Sequence, residues 1–287
     1  MCIRDRCYPD LASRRCGHDT SVHRQIVPVR VTEMDFSDPA TSERFLALYG
    51  VLPRAAPGSA NSTQTAMDAL PKGPRRKILD LGCGPGAQTL SLATALPDSI
   101  VVAVDVLPFM VFETARRGRA AGIADRIVAT VGDMAAPPVA LGSQELIWCE
   151  GAIYFLGVTA ALRRWRQYLA SYGCVAFTEP VWLQSDPGEE IKGWWSREYP
   201  AMTDTDGIRQ AIHDAGYVLI KSFVLPAEAW WTDYYRPLEA RIPAFLEEYP
   251  RDKVAQEIAG LAEEEISMFR TYHETYSYAF FVTRPGP

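Results

Sequence analysis

A short apolar run carrying one acid, Lys77-Ile78-Leu79-Asp80-Leu81, stops at Gly82-Cys83-Gly84-Pro85-Gly86, and a helical pattern opens directly after it. Three glycines in five positions let the backbone turn sharply and come close to a ligand. A buried strand that turns on glycine into a helix is the start of a βαβ unit, and the free N–H groups of that helix face the turn. The ligand position this implies is the carboxyl end of the first strand, where open α/β sheets bind.

The rest of the chain repeats that rhythm. Helical patterns cover Ser42–Tyr49, a stretch capped by Ser59 or Asn61 and running towards Leu70, Thr89–Leu96, Phe109–Ala121, Ala160–Leu169 and Ile208–Ala215. In the fourth of these, Phe109, Phe112 and Ala115 are expected near one face. Strand patterns cover Ile100–Asp105, Ile127–Val131, Leu146–Trp148, Cys174–Thr178, Tyr217–Leu225 and Tyr278–Thr283. Strands alternating with helices predict a mostly parallel sheet with helices on both faces. Two stretches are too long for plain connectors, about 181–203 and 226–276. They hold Trp182, Trp194, Trp195, Trp230 and Trp231, five of the seven tryptophans, and predict a lid with an aromatic pocket.

The glycine loop alone is ambiguous, since Gly82-x-Gly84-x-x-Ala87 also satisfies a dinucleotide fingerprint. Asp80 beside the loop suits a cationic amino group and opposes a pyrophosphate. Pro85 removes an N–H donor from a supposed phosphate cradle. Asp105 ends the second strand, where a carboxylate can accept two ribose hydroxyls. Gly132-Asp133-Met134 follows the third, where Asp133 can bond an exocyclic amine and Met134 can pack on a purine.

In combination these motifs resemble the class I S-adenosylmethionine-dependent methyltransferases, from about Ser42 to Pro285. The resemblance implies a Rossmann-like sheet of seven strands, the last antiparallel, with helical and aromatic lid inserts. It implies S-adenosyl-L-methionine as cofactor and methyl transfer to a small-molecule acceptor. Asp80, Gly82, Gly84, Gly86 and Gln88 would lie at the methionine end, Asp105 at the ribose, Asp133 and Met134 at the adenine, and Cys149 beside the methionine portion. Trp148-Cys149-Glu150-Gly151-Ala152-Ile153-Tyr154 resembles a bacterial small-molecule subgroup with an EGAIY segment. Glu150 and Tyr154 are the catalytic candidates: Glu150 as general base, as binder of an acceptor ammonium or as a structural carboxylate, and Tyr154 as an orienting group or a half-buried helix tyrosine. Glu179, at the end of the fifth strand, is expected to face the same rim, and His273 lies among tyrosines near it.

Composition narrows the partner. A net charge of −6 argues against a broad nucleic-acid surface. A nucleic-acid or protein methyltransferase of the same fold would want a basic track or a recognition domain, and neither stands out. A non-catalytic nucleotide-binding module and a nicotinamide oxidoreductase are the other readings. No apolar run reaches the ~20 residues of a membrane span, and the first residues lack a signal's apolar core, so a cytoplasmic protein is expected. The six cysteines form no CxxC pair, and Cys7, Cys16 and His18 lack a fourth ligand, so no metal is expected. Residues 1–33 show no clear period and are expected to be a disordered or artefactual leader, with the methyltransferase domain at 34–287.

Overall fold

The computed structural model describes Met34, Phe36 and residues 38–287. The expected leader at 1–33, with Cys7, Cys16 and His18, lies outside these residues. Two helices, α1 (Pro39–Tyr49) and α2 (Ala60–Asp68), precede the alternating part. Asp38 caps the first, its carboxylate accepting from the N–H groups of Ala40 and Thr41, and Ser59 caps the second through the N–H of Ser62. There follow β1 (Lys77–Leu81), α3 (Ala87–Ala95), β2 (Ile100–Asp105), α4 (Pro108–Ala120), β3 (Ile127–Val131), β4 (Gln144–Cys149), α5 (Val158–Trp165) and β5 (Leu169–Trp182). The chain continues through α6 (Glu189–Glu198), the two-residue β6 (Thr203–Asp204), α7 (Thr205–Asp214) and β7 (Tyr217–Val224). A helical turn at Glu228–Trp230 and a π-helical turn at Trp231–Tyr235 lead into α8 (Arg236–Glu248). The chain then closes with α9 (Lys253–Tyr272) and β8 (Tyr276–Pro285).

The strands form one sheet in the order β3-β2-β1-β4-β5-β8-β7, with β6 added beside β5. Pairs from β3 to β5 are parallel, and β8 runs antiparallel to both β5 and β7. The expected seven strands are therefore present, and the short β6 makes an eighth. Each face of the sheet has its own core. Ile78, Val101, Leu146, Trp148 and Phe280 pack with the lid helices, and Leu79, Leu81, Ile147, Phe177 and Phe281 pack under α5 and α7. Alternate residues of one strand go to opposite faces, so the central strands are largely apolar on both, with Asp80 of β1 and Glu179 of β5 as buried acids near their carboxyl ends.

The expected face of α4 is corrected. Phe112 is 64% exposed, and the buried residues are Met110, Thr114 and Gly118. This spacing is four and four, a true helix face, but after Met110 it continues through the small residues Thr114 and Gly118. Thr114 donates its hydroxyl to the carbonyl of Gly84 at 2.9 Å, and a Cβ at Gly118 would meet Ile127 at 3.1 Å. The helix lies so close to the glycine loop and to β3 that bulk is excluded, and an apolarity count picks the wrong face. Strand β5 is also longer than the expected Cys174–Thr178, because β8 pairs with it as far as Trp182.

Helices α8 and α9 pack against α1 over the first core, so the N-terminal helix and the second insert form one cover above the carboxyl ends of β1 and β4. The loop between α1 and α2 is tied to that cover by the N–H of Gly58, which donates to the carbonyl of Ala229 at 2.9 Å.

Candidate active site

The glycine loop starts where β1 ends. Gly82, Gly84 and Gly86 have φ of +69°, +52° and +91°, a region side chains disfavour. At Gly82 the need is also steric, since an added Cβ would lie 2.5 Å from the Cβ of Ala152. The N–H groups of Gly82 and Cys83 both donate to the carbonyl of Val104, which fixes the turn against β2. Asp80 sits under the loop. It is fully buried and does not line the cavity described below. Its Oδ2 accepts from the hydroxyl of Thr89 at 2.5 Å and its Oδ1 from the amide of Gln88 at 3.4 Å. Burial drives the Asp80 carboxyl up to about 7, against the pull of the Thr89 bond. The Gln88 amide also donates to the carbonyl of Cys83, so this pair braces the loop from behind.

Above the loop lies a cavity of about 590 Å³, within the size range of small-ligand sites. Gly82, Gly84, Gln88, Asp105, Met134, Glu150 and Tyr154 all line it. Asp105 Oδ2 accepts from the N–H of Gly84 at 2.9 Å and Oδ1 from that of Leu107 at 3.0 Å. A carboxylate has about four acceptor positions, so two remain for a ligand. Burial raises the Asp105 carboxyl, and these N–H groups oppose the rise. Met134 hangs beside the loop, its Cε 3.6 Å from where a Gly82 Cβ would be. Its carbonyl is held by the indole N–H of Trp165 at 2.8 Å. Asp133 lines the outer mouth and is exposed, with Oδ1 accepting from the N–H of Ala135 at 2.7 Å. Cys149 is placed differently from expectation. Its thiol is fully buried with Leu79 and Phe177 in the second core, and it does not line the cavity. The pleat sends Cys149 and Glu150 to opposite sides, and Glu150 takes the cavity side.

Glu150 is 5% exposed and heavily engaged. Its Oε2 accepts from Arg54 at 2.8 Å. Its Oε1 accepts from the Thr63 hydroxyl at 2.7 Å and the Trp148 indole N–H at 2.8 Å. Three of four acceptor positions are thus filled by the protein. A Cβ at residue 58 would meet Arg54 Nη1 at 2.6 Å and Glu150 Oε2 at 3.0 Å, so only glycine admits this buried pair.

The far half of the cavity is aromatic and acidic. Trp194, Trp195, Tyr199, Tyr234 and Tyr278 line it, with Tyr154 between the two halves. The Tyr154 ring stands 5.8 Å from that of Tyr199. Glu198, Glu264 and Glu265 lie in the same wall. Glu265 accepts from the phenol of Tyr235 at 2.9 Å and more weakly from that of Tyr234 at 3.4 Å. Its remaining surface opens onto the cavity rather than bulk water, and burial brings its carboxyl up to about 7. Glu179 is fully buried behind Tyr199, which donates to it at 2.6 Å; its second oxygen is unpartnered among the described residues, and burial takes the group to about 8. Of the five insert tryptophans, Trp194 and Trp195 reach the cavity. Trp230 instead stacks on Phe269 at 4.2 Å in the core, Trp231 packs under the Arg270 guanidinium, and Trp182 lies edge-on to Trp195. His273 is exposed and lies outside the cavity wall.

Sequence reasoning missed Arg54, Glu265 and the contribution of Phe45 and Tyr49. The signal for Glu265 was available. Ile258, Leu261, Ala262, Ile266 and Phe269 form the apolar stripe of α9, and position 265 falls within it, an acid where packing calls for an apolar residue. Arg54 left no such trace, because its partner is 96 positions away.

Residues 78–173 match the family described as methyltransferase domain. A solved S-adenosylmethionine-dependent methyltransferase from Geobacter sulfurreducens, in complex with S-adenosyl-L-homocysteine, superposes with a TM-score of 0.74 at 21% identity, covering 85% of this chain and 98% of that one. The chain has the fold of the class I S-adenosylmethionine-dependent methyltransferases. Among curated proteins, this methyltransferase-fold chain is 32% identical to malonyl-[acyl-carrier protein] O-methyltransferase of Legionella pneumophila over 42% of its own length. It is 29% identical to trans-aconitate 2-methyltransferase of Rhodococcus jostii over 58%. The matched parts span 41% and 65% of those two proteins. Among the described residues, no helix is long and apolar enough to cross a membrane.

Proposed function

We propose that this chain transfers a methyl group from S-adenosyl-L-methionine to a small-molecule acceptor. The observation that carries the reading is one continuous cavity with the glycine loop and Asp105 at one end and an aromatic lid at the other. The residues present fit the donor. A Cβ at Gly84 would meet no atom nearer than Ala55 at 3.8 Å, so the loop backbone lies open to a ligand there. Asp105 keeps two acceptor positions facing the cavity, enough for a pair of ribose hydroxyls. Met134 offers an apolar surface for a purine, and Asp133 a carboxylate at the mouth. Gly82 would hold the methionine end with its backbone, while Asp80 and Gln88 keep the loop in shape from below.

When bound, the donor supplies a methyl group on a positively charged sulfur that leaves with the S–C bonding electrons as the acceptor bonds to carbon. The chain's own task is then to align the acceptor and exclude water, the kind of positioning that can supply up to ~7–11 kcal/mol. Tyr154, between the two halves, and Tyr199, whose ring stands 5.8 Å from it, are the side chains that would orient it. Glu150 holds Arg54 in the wall, with one acceptor position left for substrate. A macromolecular acceptor is disfavoured: Arg54 is the sole cation among the described wall residues, and it is spent on Glu150.

Titration calorimetry tests the assignment. The full chain should bind S-adenosyl-L-homocysteine, and Asp105→Ala should weaken that binding by about 1.5–3 kcal/mol, the worth of hydrogen bonds to a charged group. Heat with a nicotinamide dinucleotide and none with S-adenosyl-L-homocysteine would overturn the donor. An unchanged dissociation constant in Asp105→Ala would show that this acid merely braces the loop.

A further inference from the structure

We propose that the acceptor is a small cationic amine that also carries a hydrogen-bond-accepting oxygen, anchored through its ammonium by Glu265 and enclosed by the rings of Tyr154, Tyr199, Tyr234 and Tyr278. The inference rests on the methyl-transfer reading and names the substrate class for it.

Three independent features of the far wall lead there. The first is charge. Glu265 contributes its carboxylate to this half, and no Lys, Arg or His among the described residues lines it. Glu265 is solvated by two phenols and, among the described residues, by no cation, and its own burial penalty is what an incoming ammonium would relieve. An anionic acceptor would meet the reverse: the Glu265 carboxylate, with Arg54 already paired to Glu150 at 2.8 Å.

The second is the aromatic enclosure. Ring faces attract cations through their quadrupole, more strongly once water is removed, so tyrosines around a carboxylate form a cage for an ammonium rather than for a neutral apolar group. The third is a pair of unmet donors. The indole N–H groups of Trp194 and Trp195 have no hydrogen-bond partner among the described residues. The two side chains are 6% and 8% exposed, and both line the cavity. A buried donor without a partner is destabilising, and a ligand oxygen is the group that can remove the cost. Charge selects the ammonium, and the indoles select the oxygen on the same molecule.

A matched trio of probes tests this: tyramine, 3-(4-hydroxyphenyl)propanoate and 4-ethylphenol share the ring and hydroxyl and end in ammonium, carboxylate or no charge. Binding to the full chain is read by tryptophan fluorescence, with and without saturating S-adenosyl-L-homocysteine. Tyramine should bind at least tenfold more tightly than either of the others. Glu265→Gln should erase that preference while the dissociation constant of S-adenosyl-L-homocysteine stays within twofold and that of 4-ethylphenol is unchanged. Equal or tighter binding of the carboxylate or the neutral probe, or no binding of tyramine, would overturn the proposal, and the wild-type trio decides this even if the variant does not fold. A preference that survives Glu265→Gln would also overturn it. Failure to bind S-adenosyl-L-homocysteine would sink the methyl-donor reading instead, and the trio in its absence reports the amine preference separately.

Discussion

Arg54→Leu is expected to lower the unfolding free energy by about 3–5 kcal/mol, the range for breaking a buried ion pair from one side. Arg54 and Glu150 are 2.8 Å apart, and their side chains are 6% and 2% exposed, so water cannot replace the lost partner. The leucine leaves the Glu150 carboxylate with only the Thr63 hydroxyl and the Trp148 indole. Glu150→Leu should cost a comparable amount, because it strands a guanidinium together with the Trp148 indole N–H, while the Thr63 hydroxyl keeps the carbonyl of Ser59. The double variant should cost clearly less than the two singles added, since an apolar pair removes both charges at once. Urea unfolding of the four proteins measures the coupling. Costs that simply add, each under about 1 kcal/mol, would show that the pair is solvated and that the wall is not built on it.

The second large effect concerns pH. Burial places the Asp80 carboxyl at about 7 and the Glu179 carboxyl at about 8, both well above their ordinary values, and Glu265 at about 7 adds to the same trend. Between about pH 4.5 and 8 the folded chain therefore holds protons that the unfolded chain has released. Stability must fall as pH rises through that window, by up to ~1.4 kcal/mol per pH unit for each group, and level off above pH 8. Carboxylates held low by partners, such as Glu113 with Arg116 and Asp252 with the N–H of Ala255, act the other way but only below about pH 4.5. The optimum should lie near pH 5, with the melting temperature falling by on the order of 20 °C from pH 5 to 8 at ~2–4 °C per kcal/mol. Thermal melts across that range check it. Glu179→Gln should flatten the upper part of the curve, because the amide has no proton to lose. A melting temperature that stays level or climbs over the same range would mean that none of these carboxyls is held protonated by the fold.

The donor half of the site was legible because its chemistry is local. Gly82, Gly84 and Gly86 sit within five positions, and Asp105 and Met134 follow the ends of two strands that the apolar pattern marks plainly. Backbone turns and strand ends are properties of neighbouring residues, so a linear reading reaches them. It misjudged Cys149 for a reason that is also physical. Adjacent residues at a strand end point to opposite faces, and the residues alone do not say whether Cys149 or Glu150 takes the cavity. The Phe112 expectation failed because a face packed on a glycine loop is chosen for smallness, not for apolarity.

The succession of strands and helices along the chain, the glycine turn and the two long inserts were determined by the amino-acid sequence, through hydrophobic period and the positions where glycine alone can turn. The acceptor half was decided by tertiary structure. Its wall brings together Tyr49, Arg54, Glu150, Trp194, Tyr234 and Glu265, drawn from α1, its following loop, β4 and both inserts. Nothing in the spacing of these residues encodes their meeting. It follows from α8 and α9 burying their apolar faces against α1 above the sheet, and that burial is strong enough to hold Glu265 among phenols and Arg54 against Glu150, where neither would lie in water.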